Sequence, residues 1–334
     1  MSGPEPGVER APAATAPRNG TAGVRLGRLI GRAGILIPFV VAFIALSLVS
    51  PSFLRFQNLT NILDQQSGII IVACAGALVL IAGGIDLSIG ATYGLAGAVS
   101  LIAASGGAPT PVAILAALGV GLLVGIVNGV IVTRFRINAL IGTLAMSFVV
   151  SGIAAIVTKG NLVVAFDHPD FQQFATTKIL GITSAAWMMI VLAIVAFILL
   201  SRTTFGRYVY ATGGNAQAAR LGGVRVNGVR IATFALSGTA AALAGILDSS
   251  RVLSAQATGG QFLTFTVLTG IIVGGTSILG GEGSIQRTVL GCLFVALIAN
   301  GFNLLGLDPF YQQVTLGVIL LLAVGVDAWS RRFE

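Results

Sequence analysis

Four acidic residues, Asp86, Asp248, Glu282 and Asp327, fall in or beside long apolar runs. An ionisable group at membrane depth is costly enough to carry a functional hypothesis by default. Asp86, in GGIDLSIGA, follows a glycine pair and precedes an apolar run. That is the place of a helix N-cap whose carboxylate accepts orphan backbone N–H groups; a substrate-binding or proton-carrying role is the other reading of the same residue. Asp248 and Arg251, three apart, can pair on one helix face. Glu282 and Asp327 sit at the margins of apolar runs, where solvation accounts for them. The single histidine, His168, lies beside Asp167 and Asp170, but a metal site needs several converging ligands, so it reads as a solvated loop residue. Cys74 and Cys292 each lie within an apolar run without ligand spacing and read as packing residues. No GxxxxGK[ST] phosphate loop occurs, and the only lysines, Lys159 and Lys178, lack its context. No catalytic, cofactor-binding or metal-ligating residue is therefore assigned; if nucleotide energy is used, another chain binds the nucleotide.

The elements that would position these groups are membrane spans. Hydrophobic residues make up 55% of the chain and charged ones 9%, against roughly 25% charged in a soluble domain, and the mean hydropathy is +0.96. The net charge of +8 does not point to nucleic acid, because the basic residues stand singly between apolar segments. Apolar runs long enough to cross a bilayer are expected at 33–50, 67–83, 88–104, 110–132, 139–158, 184–201, 231–248, 263–280, 285–303 and 310–328. This predicts an all-α polytopic protein with about ten transmembrane helices. Glycine is dense at 84–91 and 274–284, so either segment could be broken or re-entrant. Residues 1–30, rich in Pro, Ala and Gly without apolar periodicity, read as a disordered cytoplasmic tail, and 31–330 as a single transmembrane domain.

Lys and Arg are retained on the cytoplasmic side of a membrane. With the N-terminus inside, the cytoplasmic set comprises the tail arginines, Arg134, Arg136, the five arginines from Arg202 to Arg230, Arg287, Arg331 and Arg332. Only Arg55, Lys159, Lys178 and Arg251 remain outside. Both termini are thus expected in the cytoplasm, together with the polar loop at 202–230. Within that loop NAQAARL begins with an N-cap-competent Asn, continues with helix formers and meets the helix-stopping pair Gly222-Gly223, a short surface helix.

Gly121, Gly125 and Gly129 recur every fourth residue, as do Gly90, Gly94 and Ala98, so each set lines one helix face and lets a neighbouring backbone approach. A route for a polar solute needs hydrogen-bonding side chains, and the spans supply Asn128, Asn300, Asn303, Gln312 and Gln313 besides Asp86. Each amide can equally bond a neighbouring helix. Repeated fragments, VLIAGGI at 79–85 with IIVGGT at 271–276 and Asn128-Gly129 with Asn300-Gly301, suggest a duplicated half.

Several motifs occur together and in order: GGIDLSIGA, NGVIVTRFRINALIGTLA at 128–145, TTFGRYVYATGGNAQAARLGGV at 203–224, LSGTAAALAGI at 236–246, GGTSILGGEGS at 274–284 and NGFNLLGLDPFYQQVTLGVILLLAVGVD at 300–327. From about residue 35 to 328 the chain resembles the ribose-type permease subunit of bacterial ABC sugar importers, the monosaccharide ABC transporter permease family. The resemblance implies a multi-pass permease of the bacterial inner membrane, working as a pair with a second permease copy, expected to be a homodimer. Its further partners would be a cytoplasmic ATPase subunit that binds ATP and Mg, a periplasmic sugar-binding protein, and membrane lipid. It places the ATPase-coupling segment on Gly214, Asn215, Ala218, Ala219, Arg220, Leu221, Gly222 and Val224. Members often carry an acidic residue before the second glycine pair, where this chain has Thr264, Phe265 and Thr266; the particular sugar is left unassigned. The alternative class is a proton-coupled secondary transporter in which Asp86 carries the proton, and a structural membrane scaffold is a third.

Overall fold

The computed structural model describes Gly3 and residues 35–330, with side chains through Gly325. The expected tail with its arginines, Arg331, Arg332 and the side chain of Asp327 lie outside the described residues. Helices occupy the ten expected apolar runs: α1 (Leu36–Val49), α2 (Phe56–Ile81), α3 (Ile89–Ser105), α4 (Thr110–Arg134), α5 (Ala139–Thr158), α7 (Ser184–Arg202), α10 (Val226–Val252), α11 (Leu263–Val273), α12 (Ile285–Leu304) and α13 (Pro309–Ser330). Three short helices complete the set among the described residues, α6 (Pro169–Thr176), α8 (Thr204–Gly214) and α9 (Ala216–Leu221). Six of the ten, α2, α4, α5, α7, α10 and α12, are long and apolar enough to cross a membrane alone.

Of the others, α1, α3 and α11 are shorter, and two of them show why. α3 begins only at Ile89 because residues 82–88 run as non-helical backbone after the Gly83-Gly84 turn, and α11 stops at Val273 before Gly274 and Gly275. Both glycine-dense stretches are therefore breaks, and the expected span 263–280 is helical only over its first part. In the other direction, α2 starts at Phe56, well before the apolar run at 67, because its first turns are the polar FQNLTNILDQQ.

α10 lies at the centre, where it packs on α2, α3 and α4. A Cβ added at Gly121 would come within 2.4 Å of the Ala242 Cβ and the Gly238 carbonyl oxygen, and one at Gly125 within 2.3 Å of the Phe234 carbonyl oxygen. The glycine stripe of α4 therefore seats the α10 backbone directly. Ala73 and Ala77 of α2, Ala241 and Ala244 of α10, Ile271 of α11 and Cys292 of α12 share one buried cluster. The outer helices expose Val41, Leu48, Phe148, Ile156, Val191 and Leu321, an apolar surface suited to lipid.

One end of the bundle carries the α4–α5 turn with Arg134 and Arg136, together with α8, α9 and the start of α10; at the other end, β1 (Val163–Val164) pairs antiparallel with β4 (Ser254–Ala255). A second pair, β2 (Lys178–Ile179) with β3 (Ile182–Thr183), adjoins that end through the Thr183 hydroxyl, which donates to Asp64 Oδ1 at 2.7 Å. Arg251 ties α10 to α2 there: Nη1 contacts Asp248 Oδ1 at 3.0 Å, Nε contacts Asp64 Oδ2 at 3.4 Å, and Nη2 donates to the Asp64 carbonyl at 2.7 Å.

The stripe on α4 generates a test. Gly125→Val should destabilise the protein by about 1–3 kcal/mol, the cost of overpacking, whereas Gly119→Ala, with open space around its Cβ, should be neutral or stabilising. Thermal unfolding midpoints in detergent, read by fluorescence-detected gel filtration, would separate the two variants.

Candidate functional site

The exposed helix α9 is fixed at both ends by its own sequence. Asn215 is its N-cap, and the Asn215 Oδ1 accepts from the backbone N–H groups of Gln217 at 3.0 Å and Ala218 at 2.9 Å. At the other end, of the Gly222-Gly223 pair, it is Gly223 that takes the left-handed conformation, φ +84°. Val224 N–H donates to the Ala219 carbonyl at 2.9 Å and Gly223 N–H to that of Arg220 at 3.0 Å, the two bonds of a Schellman ending. Ala219 faces inward, while Asn215, Ala218, Arg220, Leu221 and Gly222 are exposed and Val224 is half-buried. Leu221 is 86% exposed, unusual for an apolar side chain on a capped, rigid helix. Arg220 Nη2 donates to Asn227 Oδ1 at 3.3 Å, tying α9 to the start of α10.

Immediately before α9, Gly213 meets both breaks in the membrane helices. A Cβ at Gly213 would lie 1.7 Å from the Ile81 carbonyl oxygen and 2.6 Å from Gly281 N. Gly281 N–H donates to that same Ile81 carbonyl at 2.8 Å. Gly83, at φ +77°, and Gly281, at φ +80°, turn where a side chain would be strained, and Gly214, exposed at the surface, abuts Gly281. Three backbone segments remote in sequence thus cross without intervening side chains. Around them, Tyr210 donates to the Gly283 carbonyl at 2.8 Å and Arg230 Nε to the Ala82 carbonyl at 3.4 Å. Burial raises the Tyr210 pKa, with the nearby Arg287 opposing it, so the phenol stays protonated and donating beyond the ordinary tyrosine range.

The first break is lined by a buried polar cluster. Asp86 Oδ1 accepts from Ser88 N–H at 3.0 Å and Ser88 Oγ at 2.7 Å, and Oδ2 accepts from Ser237 Oγ of α10 at 2.8 Å. The N-cap of α3 is Ser88; Asp86 supports it from two residues earlier. Asn128 Nδ2 donates to Ser88 Oγ at 2.7 Å, while Asn128 Oδ1, buried, has no hydrogen-bond partner among the described residues. Thr143 Oγ1 accepts from Leu87 N–H at 3.0 Å, and Thr264 Oγ1 of α11 accepts from Gly90 N–H at 3.1 Å. Thr264 therefore serves the start of α3 from the facing helix α11.

Asp86 and Asn128 are thus brought together through Ser88, but Asn300 and Asn303 are not part of this cluster. Asn300 exchanges reciprocal amide bonds with Asn58 of α2, at 2.9 and 3.2 Å, and Asn303 is exposed near the end of α12. Gln312 is half-buried, and Gln313 and Glu282 are exposed. Sequence reasoning missed Asp64, Tyr93, Tyr210 and Ser237. The polar first turns of α2 disguised Asp64 as a loop residue, and the hydroxyls carried no spacing signal.

Membrane helices broken at glycine turns and joined to a capped surface helix fit a membrane transport permease, and the sequence comparisons show that class. The comparison of sequences is specific: residues 58–324 match the family described as the branched-chain amino acid transport system permease component, and the chain belongs to that family. Similar proteins include the ribose import permease protein of Escherichia coli K12, 39% identical over 295 residues covering 87% of this chain and 92% of the relative. The ribose import permease protein of Haemophilus influenzae is 34% identical over 313 residues, 93% of this chain and 97% of the relative. The L-arabinose transport system permease protein of E. coli K12 is 35% identical over 306 residues, 92% and 93% of the two chains. No solved structure matches.

Asp86→Leu removes the acceptor of three hydrogen bonds and should lower stability by several kcal/mol, at about 1.5–3 kcal/mol per bond to a charged group. Asp86→Asn keeps one acceptor oxygen and should lose less than half as much. Unfolding midpoints of the two variants give the comparison; equal losses would assign the effect to the charge itself.

Proposed function

We propose that this chain is the membrane-spanning subunit of an ATP-driven importer for a monosaccharide or related polyol. In this reading it forms the translocation path in the bacterial inner membrane, with both termini in the cytoplasm and a second copy as its partner in the membrane. A separate cytoplasmic ATPase subunit binds ATP and Mg, and a periplasmic binding protein delivers the solute. The single observation that carries the coupling role is α9: a short helix capped at both ends, with Leu221 86% exposed and its root at Gly213 locked to both helix breaks. The sugar class is supported by the ribose and arabinose permeases among the relatives.

The mechanism follows from the contacts. An amphipathic helix with an exposed apolar tip docks in a groove of its partner, and closure of the ATPase pair displaces it as a rigid body. Gly213 carries that displacement to Ile81 at the end of α2 and to Gly281 in the loop before α12. Since α3 and α11 both begin or end at these breaks, they change tilt together, and the path beside them opens and closes.

Arg220→Glu reverses a charge on the exposed face, and Gly222→Leu adds bulk at a position with ordinary φ, −77°. In proteoliposomes holding the complete importer, with radiolabelled D-ribose and L-arabinose as probes, both should lower uptake at least tenfold. Membrane insertion should be unchanged and ATP hydrolysis should persist. Normal uptake in both variants would sink the coupling role, and loss of wild-type uptake on adding a protonophore at constant ATP would favour a proton-coupled carrier.

A further inference from the structure

At the end of α10 remote from α9, a cleft of about 260 Å³ opens between α10, α3 and the β1–β4 pair, lined in part by Tyr93, Leu162, Asp248, Ser249, Val252 and Gln256. We propose that this cleft is the first binding subsite for the transported solute, a neutral polyhydroxylated molecule of monosaccharide size, and that Asp248 is its principal hydrogen-bond acceptor. The assignment rests on the importer reading above.

Position, size and chemistry agree. α10 has 27 residues, about 40 Å at 1.5 Å per residue, so the cleft and the α9 surface lie at opposite faces of a bilayer, as delivery from one side and coupling from the other require. The volume falls just below the range of about 300–1,000 Å³ occupied by drug-sized ligands, room for one small ring.

Asp248 is the one acidic residue among those lining the cleft. Its Oδ1 takes the Arg251 Nη1 donor at 3.0 Å and its Oδ2 takes the Tyr93 hydroxyl. Each carboxylate oxygen keeps further acceptor capacity, and the side chain is 46% exposed. The carboxylate is thus fixed in orientation from behind yet open in front, an arrangement that accepts two neighbouring hydroxyls of a polyol. Gln256, exposed, adds both a donor and an acceptor, while Leu162 and Val252 offer apolar surface for the C–H face of a ring.

The Asp64–Arg251–Asp248 group carries two negative charges against one positive, which disfavours anionic solutes such as phosphorylated sugars. A site with one fixed acceptor and few donors binds weakly, which suits a path from which the solute must leave again.

The test uses the complete importer in intact cells, with radiolabelled D-ribose, L-arabinose and D-galactose as probes. Val252 is 55% exposed, so Val252→Trp fills the cleft without disturbing the ion group; uptake should fall at least tenfold. Asp248→Asn should raise the half-saturating concentration at least fivefold with unchanged membrane abundance. Val252→Cys should react with an externally added, membrane-impermeant thiosulfonate, and the label should block uptake; the natural Cys74 and Cys292 are both buried. Wild-type cells that import none of the probes would overturn the importer reading itself. ATPase-dependent wild-type uptake that Val252→Trp and Asp248→Asn leave within twofold, or a Val252→Cys inert to the external reagent, would overturn the cleft assignment alone.

Discussion

Peptide groups that leave a helix at membrane depth find no water to bond, so each must be met from within the protein. That constraint organises this molecule. The break at 82–88 survives because Thr143 serves Leu87, Asp86 serves Ser88 and Thr264 serves Gly90. Arg230 and Gly281 supply donors to the carbonyls of Ala82 and Ile81. The helices that deliver these groups, α5, α10 and α11, are thereby placed around α3.

Close backbone approach is the second half of the same solution. Without a hydrophobic force to drive helix against helix in lipid, association depends on fit and on interhelical hydrogen bonds, and α10 obtains fit by opposing Gly238 to Gly121 and Gly245 to Gly97. This leaves side chains of α10 free for polar work at successive depths. Arg230 reaches the first break, Ser237 reaches Asp86, and Asp248 with Arg251 forms the ion group at the far end. One helix therefore links the proposed coupling end, the buried polar cluster and the proposed solute cleft.

Much of the fold was legible in the sequence because apolar runs and glycine pairs are local signals. Each of the ten runs holds a helix, although α11 fills only the first part of its run and α2 starts ahead of its own, and NAQAARLGG announced α9 with its caps. The start of α2 was not legible, since its polar first turns look like a loop until Asp64 is seen to meet Arg251 and Thr183 across the bundle. The site was only partly legible. Asp86 and Asn128 carried a signal by being polar in apolar surroundings, but so did Asn300, which merely ties α12 to Asn58 of α2. What no local pattern could disclose is the meeting of Gly83, Gly213 and Gly281, whose partners lie tens to hundreds of residues apart and whose only feature is the absence of a side chain.

That absence has a mechanical meaning. A linkage made through long side chains has give, because rotamers can absorb part of any displacement before the next element moves. Where Gly213 rests against Ile81 and Gly281, main chain bears on main chain with no side chain between, so under the proposed coupling a push on the surface helix reaches two membrane segments at once. In that proposal the junction acts as a gear tooth rather than a spring, and it sets the phase between the two segments.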